Sequence, residues 1–359
     1  MHIEYELKLD FNDVLLRPKR STLNSRKEVQ LEREFHFYHS SKTWKGVPLL
    51  TANMASCGTF ELARVLSKKH VITTLHKYYN VKDYQEFFKT PIDPNFVAYT
   101  LGIRDEDMAQ LQDMAKADLL KNFTFICIDI PNGYLERFSD FVRTVRELCP
   151  DHVIIAGNVV SKEMTEELIL AGADIVKVGI GSGSACTTRR MTGVGMPQLS
   201  AVIECADAAH GLSSKNGACG LIISDGGAVV PGDVAKAFCG GADFLMSGQM
   251  FSGYEESGGE TVRKDGKKYK EYYGSSSTKA LQVNYGKKDA HRASEGRHTL
   301  IPHKGSIHDA LQDLLGALRS TGTYIGARKL KEFSKRATFV RVSNQLNTSL
   351  ESYDTETSK

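Results

Sequence analysis

Residues 123–180 read FTFICIDIPNGYLERFSDFVRTVRELCPDHVIIAGNVVSKEMTEELILAGADIVKVGI. Three short runs, 123–130, 153–159 and 174–180, are apolar throughout rather than at alternate positions. Strands read this way when helices cover both faces of a parallel sheet. Between them, 137–149 and 161–172 have helical spacing of apolar residues, and Ser161 stands before Lys162 and Glu163 as an N-cap. The beat continues outward. Upstream lie apolar runs 47–53, 70–76 and 96–102, with helices predicted over 58–69, 81–89 and 104–118. Downstream lie runs 219–227 and 244–250, with helices predicted over 196–211, 231–240 and 307–321. Pro231 opens one of these helices, and Ile307, Leu311, Leu314, Leu315 and Leu318 stripe the last. The first strand–helix turn lacks a GxGxxG fingerprint, which argues against a doubly wound sheet. Eight such units predict an α/β fold, a closed (β/α)8 TIM barrel.

A barrel of this kind does its chemistry at the C-terminal ends of its strands. Asn53, His76-Lys77, Asp129, Asn158, Asp225-Gly226-Gly227 and Gly248-Gln249 all fall there. The eighth unit is interrupted by residues 252–306, rich in Gly, Ser, Lys and Glu. A loop of that length leaving the top of a barrel strand is expected to act as a lid over the mouth, with a solvated excursion as the alternative. Residues 1–346 are therefore expected to form one barrel domain with a lid at 252–306, and the polar stretch 347–359 a disordered tail.

Bulk properties narrow the class. The chain has 359 residues, 41% hydrophobic and 25% charged, as soluble enzymes of this size do. Its net charge of +3 is too small to point to nucleic acid or an acidic membrane surface. No run approaches the ~20 apolar residues of a membrane span, and MHIEYELKLDF does not read as a signal peptide. The seven cysteines form no CxxC pair and lie mostly in apolar runs, which fits reduced thiols in a cytoplasmic protein.

One cysteine differs. In GIGSGSACTTRR, residues 179–190, Cys186 sits among small residues at the end of the sixth strand run, ahead of Arg189 and Arg190. Glycines let such a loop wrap a bound group, and the arginines would favour a thiolate. This predicts a nucleophile on a substrate loop; a turn cysteine among surface charges is the alternative. Thr188 lies close enough in sequence to pass a proton, or else caps a turn. The turns after the seventh and eighth strands, ISDGG at 223–227 and MSGQ at 246–249, stand where these barrels bind phosphate. With Asp225 suited to ribose hydroxyls, the implied ligand is a phosphorylated sugar. His76 reads as structural, Lys77 as a phosphate contact, and the basic stretch 327–336 as a solvated helix face.

Longer motifs are then informative. LDFNDVLLRPKRS at 9–21 resembles the N-terminal signature of the IMP dehydrogenase/GMP reductase family, and GIGSGSACTTRR resembles its cysteine loop. GVGMPQLSAVIECADAAHGL (193–212), SDGGAVVPGDVAKAF (224–238), ESGGE (256–260), DGKKYK (265–270) and HRASEG (291–296) resemble the reductase branch. Only residues 90–95 separate the second helix from the third strand, where dehydrogenases of the family usually carry a paired regulatory domain. The lid also has RASEG in place of the dehydrogenases' Arg-Tyr pair.

The resemblance implies NADPH-dependent reductive deamination of GMP to IMP and ammonia, through a covalent thioimidate on Cys186, in purine nucleotide salvage and interconversion. It assigns Thr188 and Glu295 to proton transfer, with Glu295 protonated for part of the cycle. It implies GMP contacts at Asp225, Gly226, Gly227, Gly248, Gln249, Gly274, Ser275, Ser276, Arg292, Ala293, Ser294, Glu295 and Gly296. NADPH contacts are implied at Ser25, Arg26, Lys77, Asp129, Ile130, Pro131, Ile180, Gly181, His291, Arg292, Ser320, Thr321, Gly322 and Thr323. A potassium (K+) site is implied at Gly181, Gly183, Cys186 and Arg189, and a homotetramer as the assembly. Five positions depart from the usual pattern: Gln249 replaces a glycine, Ser275 a methionine, Ala55 an aspartate, His291 a tyrosine and Pro131 a small residue. Residues 213–218 look like an insertion on the bottom face. The competing functions are IMP dehydrogenation and nucleotide binding without turnover, the latter favoured by Gln249, Ser275 and Ala55.

Overall fold

The computed structural model describes residues 3–285 and 294–343. His291, Arg292, Ala293 and the 347–359 tail, all assigned roles above, lie outside the described residues. Eight parallel strands close into a barrel in chain order: β1 Leu49–Thr51, β2 Ile72–Thr74, β3 Val97–Leu101, β4 Phe125–Asp129, β5 Val153–Val159, β6 Ile175–Val178, β7 Leu221–Asp225 and β8 Phe244–Ser247. The last strand closes on the first through Leu245↔Leu49, Met246↔Leu50 and Ser247↔Thr51. Each predicted run contains its strand. The helices follow in phase: α1 Phe60–Leu66, α2 Val81–Phe87, α3 Asp105–Lys116, α4 Glu136–Leu148, α5 Lys162–Ala171, α6 Gln198–Gly211, α7 Pro231–Cys239 and α8 Ile307–Ile325. Pro231 occupies the first turn of α7, as expected. Ser161 sits at the N-cap of α5, but its hydroxyl makes no capping bond.

Two aromatic-rich segments before the barrel close its lower end. A hairpin, Arg33–His36 with Thr43–Gly46, brings Phe35 and Trp44 beneath the strands. The Trp44 ring lies 6.0 Å from Phe125 and 5.4 Å from Phe244, residues that begin β4 and β8. Its indole N–H donates to the Asn95 carbonyl at 2.7 Å, so the plug is apolar and its polar atom is satisfied. Strand Val14–Leu16 pairs with Phe339–Arg341, joining the two ends of the described chain.

Asp174, just before β6, shows how this lower end is pinned. Its fully buried carboxylate accepts from the N–H groups of His39 (2.7 Å), Ser40 (3.1 Å) and Ile154 (2.9 Å) and from Arg146 Nη2 (2.6 Å). Deleting one partner of a buried pair strands the other. Asp174→Ala is expected to destabilise the fold by about 3 kcal/mol, read as a lower urea midpoint; an unchanged midpoint would show that the clasp is idle.

Residues 252–306 are not structureless. They contain a three-stranded antiparallel sheet, Thr261–Lys264, Lys267–Tyr273 and His298–Pro302, and the helix Thr278–Tyr285. Alternating Lys and Tyr in KKYKEYY hides a strand from a search for apolar runs. Glu256 ties the insertion's start to its end, accepting from Ser306 Oγ at 2.6 Å and from the Ile307 N–H at 3.1 Å where α8 begins. No helix among the described residues is long and apolar enough to cross a membrane.

Candidate active site

The loop after β6 carries Cys186 to the barrel's upper mouth, where the 294–297 segment of the insertion joins it edge to edge. The Thr187 N–H donates to the Glu295 carbonyl (2.8 Å) and the Arg297 N–H to the Ala185 carbonyl (2.8 Å). Cys186 and Gly296 form a β-bridge, and Gly296 bridges Ser277 on its other side. This backbone pairing sets three side chains in a row. The Cys186 thiol donates to Thr188 Oγ1 at 3.1 Å, and the Thr188 hydroxyl donates to Glu295 Oε2 at 2.6 Å. The Thr188 N–H also points at the sulfur, at 3.4 Å. A proton leaving the thiol thus has a continuous path to a carboxylate.

Arg189 is engaged away from the sulfur. Arg189 and Arg190 are exposed, and the Arg189 guanidinium binds the Asp10 carboxylate at 2.8 Å and the Met196 carbonyl at 2.6 Å. Asp10 also accepts from the Gln198 N–H at 2.5 Å. The N-terminal LDFND motif therefore straps the cysteine loop to the start of α6. The sulfur's own partners are both on Thr188. Five other cysteines are buried. Burial pushes the thiols of Cys57, Cys127, Cys205 and Cys239 up to about 12, which keeps them protonated and inert.

The row lines a cavity of about 500 Å³, within the range of small-molecule sites. The turns 225–227 and 248–249 face it, as do Gly274, Ser275, Ser276 and Gly296. Gly226 has φ +93°, and a Cβ there would come within 2.6 Å of Ser182 Oγ, so the turn requires glycine. Ser247 Oγ donates to the Ala228 carbonyl at 3.4 Å, joining the two turns. Gln249 Oε1 is buried without a hydrogen-bond partner in the protein, a free acceptor beside the cavity. Asn158, Met54 and Tyr272 also line the cavity. The sequence placed Asn158 at a strand end but gave none of the three a binding role. Burial pushes the Tyr272 phenol up to about 12, so it keeps its proton and shares a 3.1 Å hydrogen bond with Ser184. Nothing in KKYKEYY marks that tyrosine as pocket-facing; only the insertion's register does.

A second cavity of about 220 Å³ adjoins the first across Asp129, Ile130, Pro131, Ser275 and Ser276. Lys77 lines it, 3.6 Å from Asp107. His76 stacks on Tyr79 at 3.9 Å, and burial pushes its imidazole down to about 4, so it is neutral and structural at pH 7. Ser25, Arg26 and Ser320–Thr323 line neither described cavity. The turn Arg26–Glu28 instead packs on α8, and Val29 lies against Gly322. Gly181 and Gly183 border the main cavity beside Cys186. The Gly183 carbonyl already accepts the Cys186 N–H at 2.9 Å, and Arg189 can offer a cation only its backbone carbonyl.

The family model described as IMP dehydrogenase / GMP reductase domain matches residues 8–352. The chain belongs to that family. It is 54% identical over 347 residues to a human protein named GMP reductase 2, covering 96% of this chain and 97% of that one. It is 53% identical over 357 residues to the GMP reductase of Ascaris suum, covering 98% of each chain. A Vibrio vulnificus GMP reductase is 55% identical over 350 residues, covering 97% of this chain and 98% of that one. The family membership makes this chain an oxidoreductase.

Proposed function

We propose that the chain reduces GMP to IMP and ammonia with NADPH, using Cys186 as the nucleophile on the purine 2-carbon. The observation that carries this reading is the Cys186–Thr188–Glu295 row along one wall of a nucleotide-sized cavity. As the sulfur adds to C2, its proton passes through Thr188 to Glu295. The same carboxylic acid then protonates the exocyclic amine, a poor leaving group until protonated, and ammonia departs to leave a thioimidate. NADPH, when bound, supplies the hydride that reduces this carbon. Expulsion of the Cys186 thiolate then releases IMP.

The residues present fit these ligands. Asp225 takes the ribose hydroxyls and the 226–227 and 248–249 turns the phosphate, with Gly274, Ser275, Ser276, Glu295 and Gly296 closing over the base. Asp129–Pro131, Ile180, Gly181 and Lys77 take the nicotinamide half of the cofactor, spanning the two adjoining cavities. A homotetramer gives Ser25, Arg26 and Ser320–Thr323 a part, because the patch of one copy can complete the cofactor site of another. K+ would be held by the carbonyls of Gly181, Gly183, Cys186 and Arg189, steadying the cysteine loop. The insertion acts as the lid, and the protein works in the cytoplasm on nucleotides, with no membrane or nucleic-acid partner.

The test is direct. Purified protein with GMP should consume NADPH, followed by its absorbance. Formation of XMP from IMP and NAD without NADPH consumption would make the chain a dehydrogenase instead. GMP binding without consumption would make it a binding protein.

A further inference from the structure

Lys177 lies in the middle of β6, inside the barrel, with its side chain 1% exposed. It does not line either described cavity. Its ammonium donates to Asp129 Oδ1 at 2.5 Å and to Asp225 Oδ2 at 3.0 Å, with Met246 Sδ at 3.8 Å on β8. One buried cation therefore holds a carboxylate from β4 and another from β7. Asp129 borders both cavities, and Asp225 borders the larger. The neighbouring strand makes room for it: Gly157 pairs with Lys177, and a Cβ at 157 would come within 2.6 Å of the lysine's own Cβ. Asn158, next along β5, donates to the same Asp225 oxygen at 2.9 Å while its own Oδ1 is buried without a partner.

Resting on the function proposed above, we propose that Lys177 is a positioning residue that sets the substrate-side and cofactor-side carboxylates together, without touching either ligand. A buried ammonium is costly unless fully paired, and two carboxylates in one desolvated space repel unless a cation lies between them. Burial alone would raise the Asp129 carboxyl; the Lys177 charge overrides that and holds it below the usual carboxylate range, with help from Asn53 and Lys77. Cys127 on β4 also faces the lysine, and burial keeps its thiol protonated. The lysine's own ammonium is held charged by the two carboxylates against the cost of burial.

Lys177→Met keeps an unbranched side chain, one atom shorter, and removes the cation. It should raise KM for GMP and for NADPH together, each roughly tenfold, and move the acid limb of kcat/KM upward by about one pH unit as one carboxylate becomes harder to ionise. Asp129→Asn alone should raise KM for NADPH only. In the double variant D129N/K177M the repulsion is gone, so the acid limb should return and KM for GMP should fall from its K177M value. Wild-type KM values and acid limb in K177M, whatever its melting temperature, would overturn the positioning role while leaving the proposed reaction intact. A wild-type protein that leaves NADPH unconsumed with GMP would overturn both. Should K177M fail to fold, D129N/K177M must show a higher KM for GMP than D129N; equality overturns the proposal.

Discussion

Cys186→Ala is expected to lower NADPH consumption with GMP by roughly 10⁴-fold or more, while GMP affinity changes only a few-fold. The size follows from the role proposed for the residue. Without covalent addition the hydride would have to displace an amine directly from an aromatic carbon, and no other group along the row is a nucleophile of comparable strength. Cys57, Cys127, Cys205 and Cys239 cannot take over, because burial keeps their thiols protonated. Affinity should survive because Asp225 and the turns proposed to hold the phosphate follow β7 and β8 and do not include Cys186. Equal losses in binding and rate would instead point to a collapsed loop.

Glu295→Gln should lower kcat by roughly a thousandfold with little change in KM. The amide still accepts the Thr188 hydroxyl, now 2.6 Å from Glu295 Oε2, so geometry is kept and proton uptake is lost. Thr188→Ala breaks the same path one step earlier. The two residues act as a unit, so the double variant should be about as slow as the slower single one. Additive losses, measured by steady-state kinetics on all three variants, would show that Thr188 and Glu295 act on different steps.

The barrel was legible because its code is local. Short apolar runs such as VIIAGNV, alternating with amphipathic helices, read as strands covered on both faces, and eight even repeats favour closure. The lower plug was not legible, since Phe35 and Trp44 earn their burial from strands far along the chain. At the site, the cysteine loop and the glycine turns announced themselves by residue type. Glu295 did not: an isolated glutamate in a polar loop is usually solvated, and only the resemblance singled it out. What places it against Thr188 is backbone pairing between 185–187 and 295–297, which no side-chain pattern records. Arg189 misled for the complementary reason. Its nearness to Cys186 in sequence suggested an effect on the sulfur, yet its partner Asp10 lies in the N-terminal strap. Lys177 lies inside the run 174–180, and nothing in that run marks the two carboxylates that strands β4 and β7 bring to it.

The proposed reaction depends on a covalent bond between Cys186 and the purine. Incubation with GMP labelled at the 2-carbon, rapid acid quench and peptide mapping test it most directly. Label should be retained on the peptide that contains Cys186, and none should be retained in Cys186→Ala. Turnover that proceeds with no protein-bound label at any quench time would contradict it.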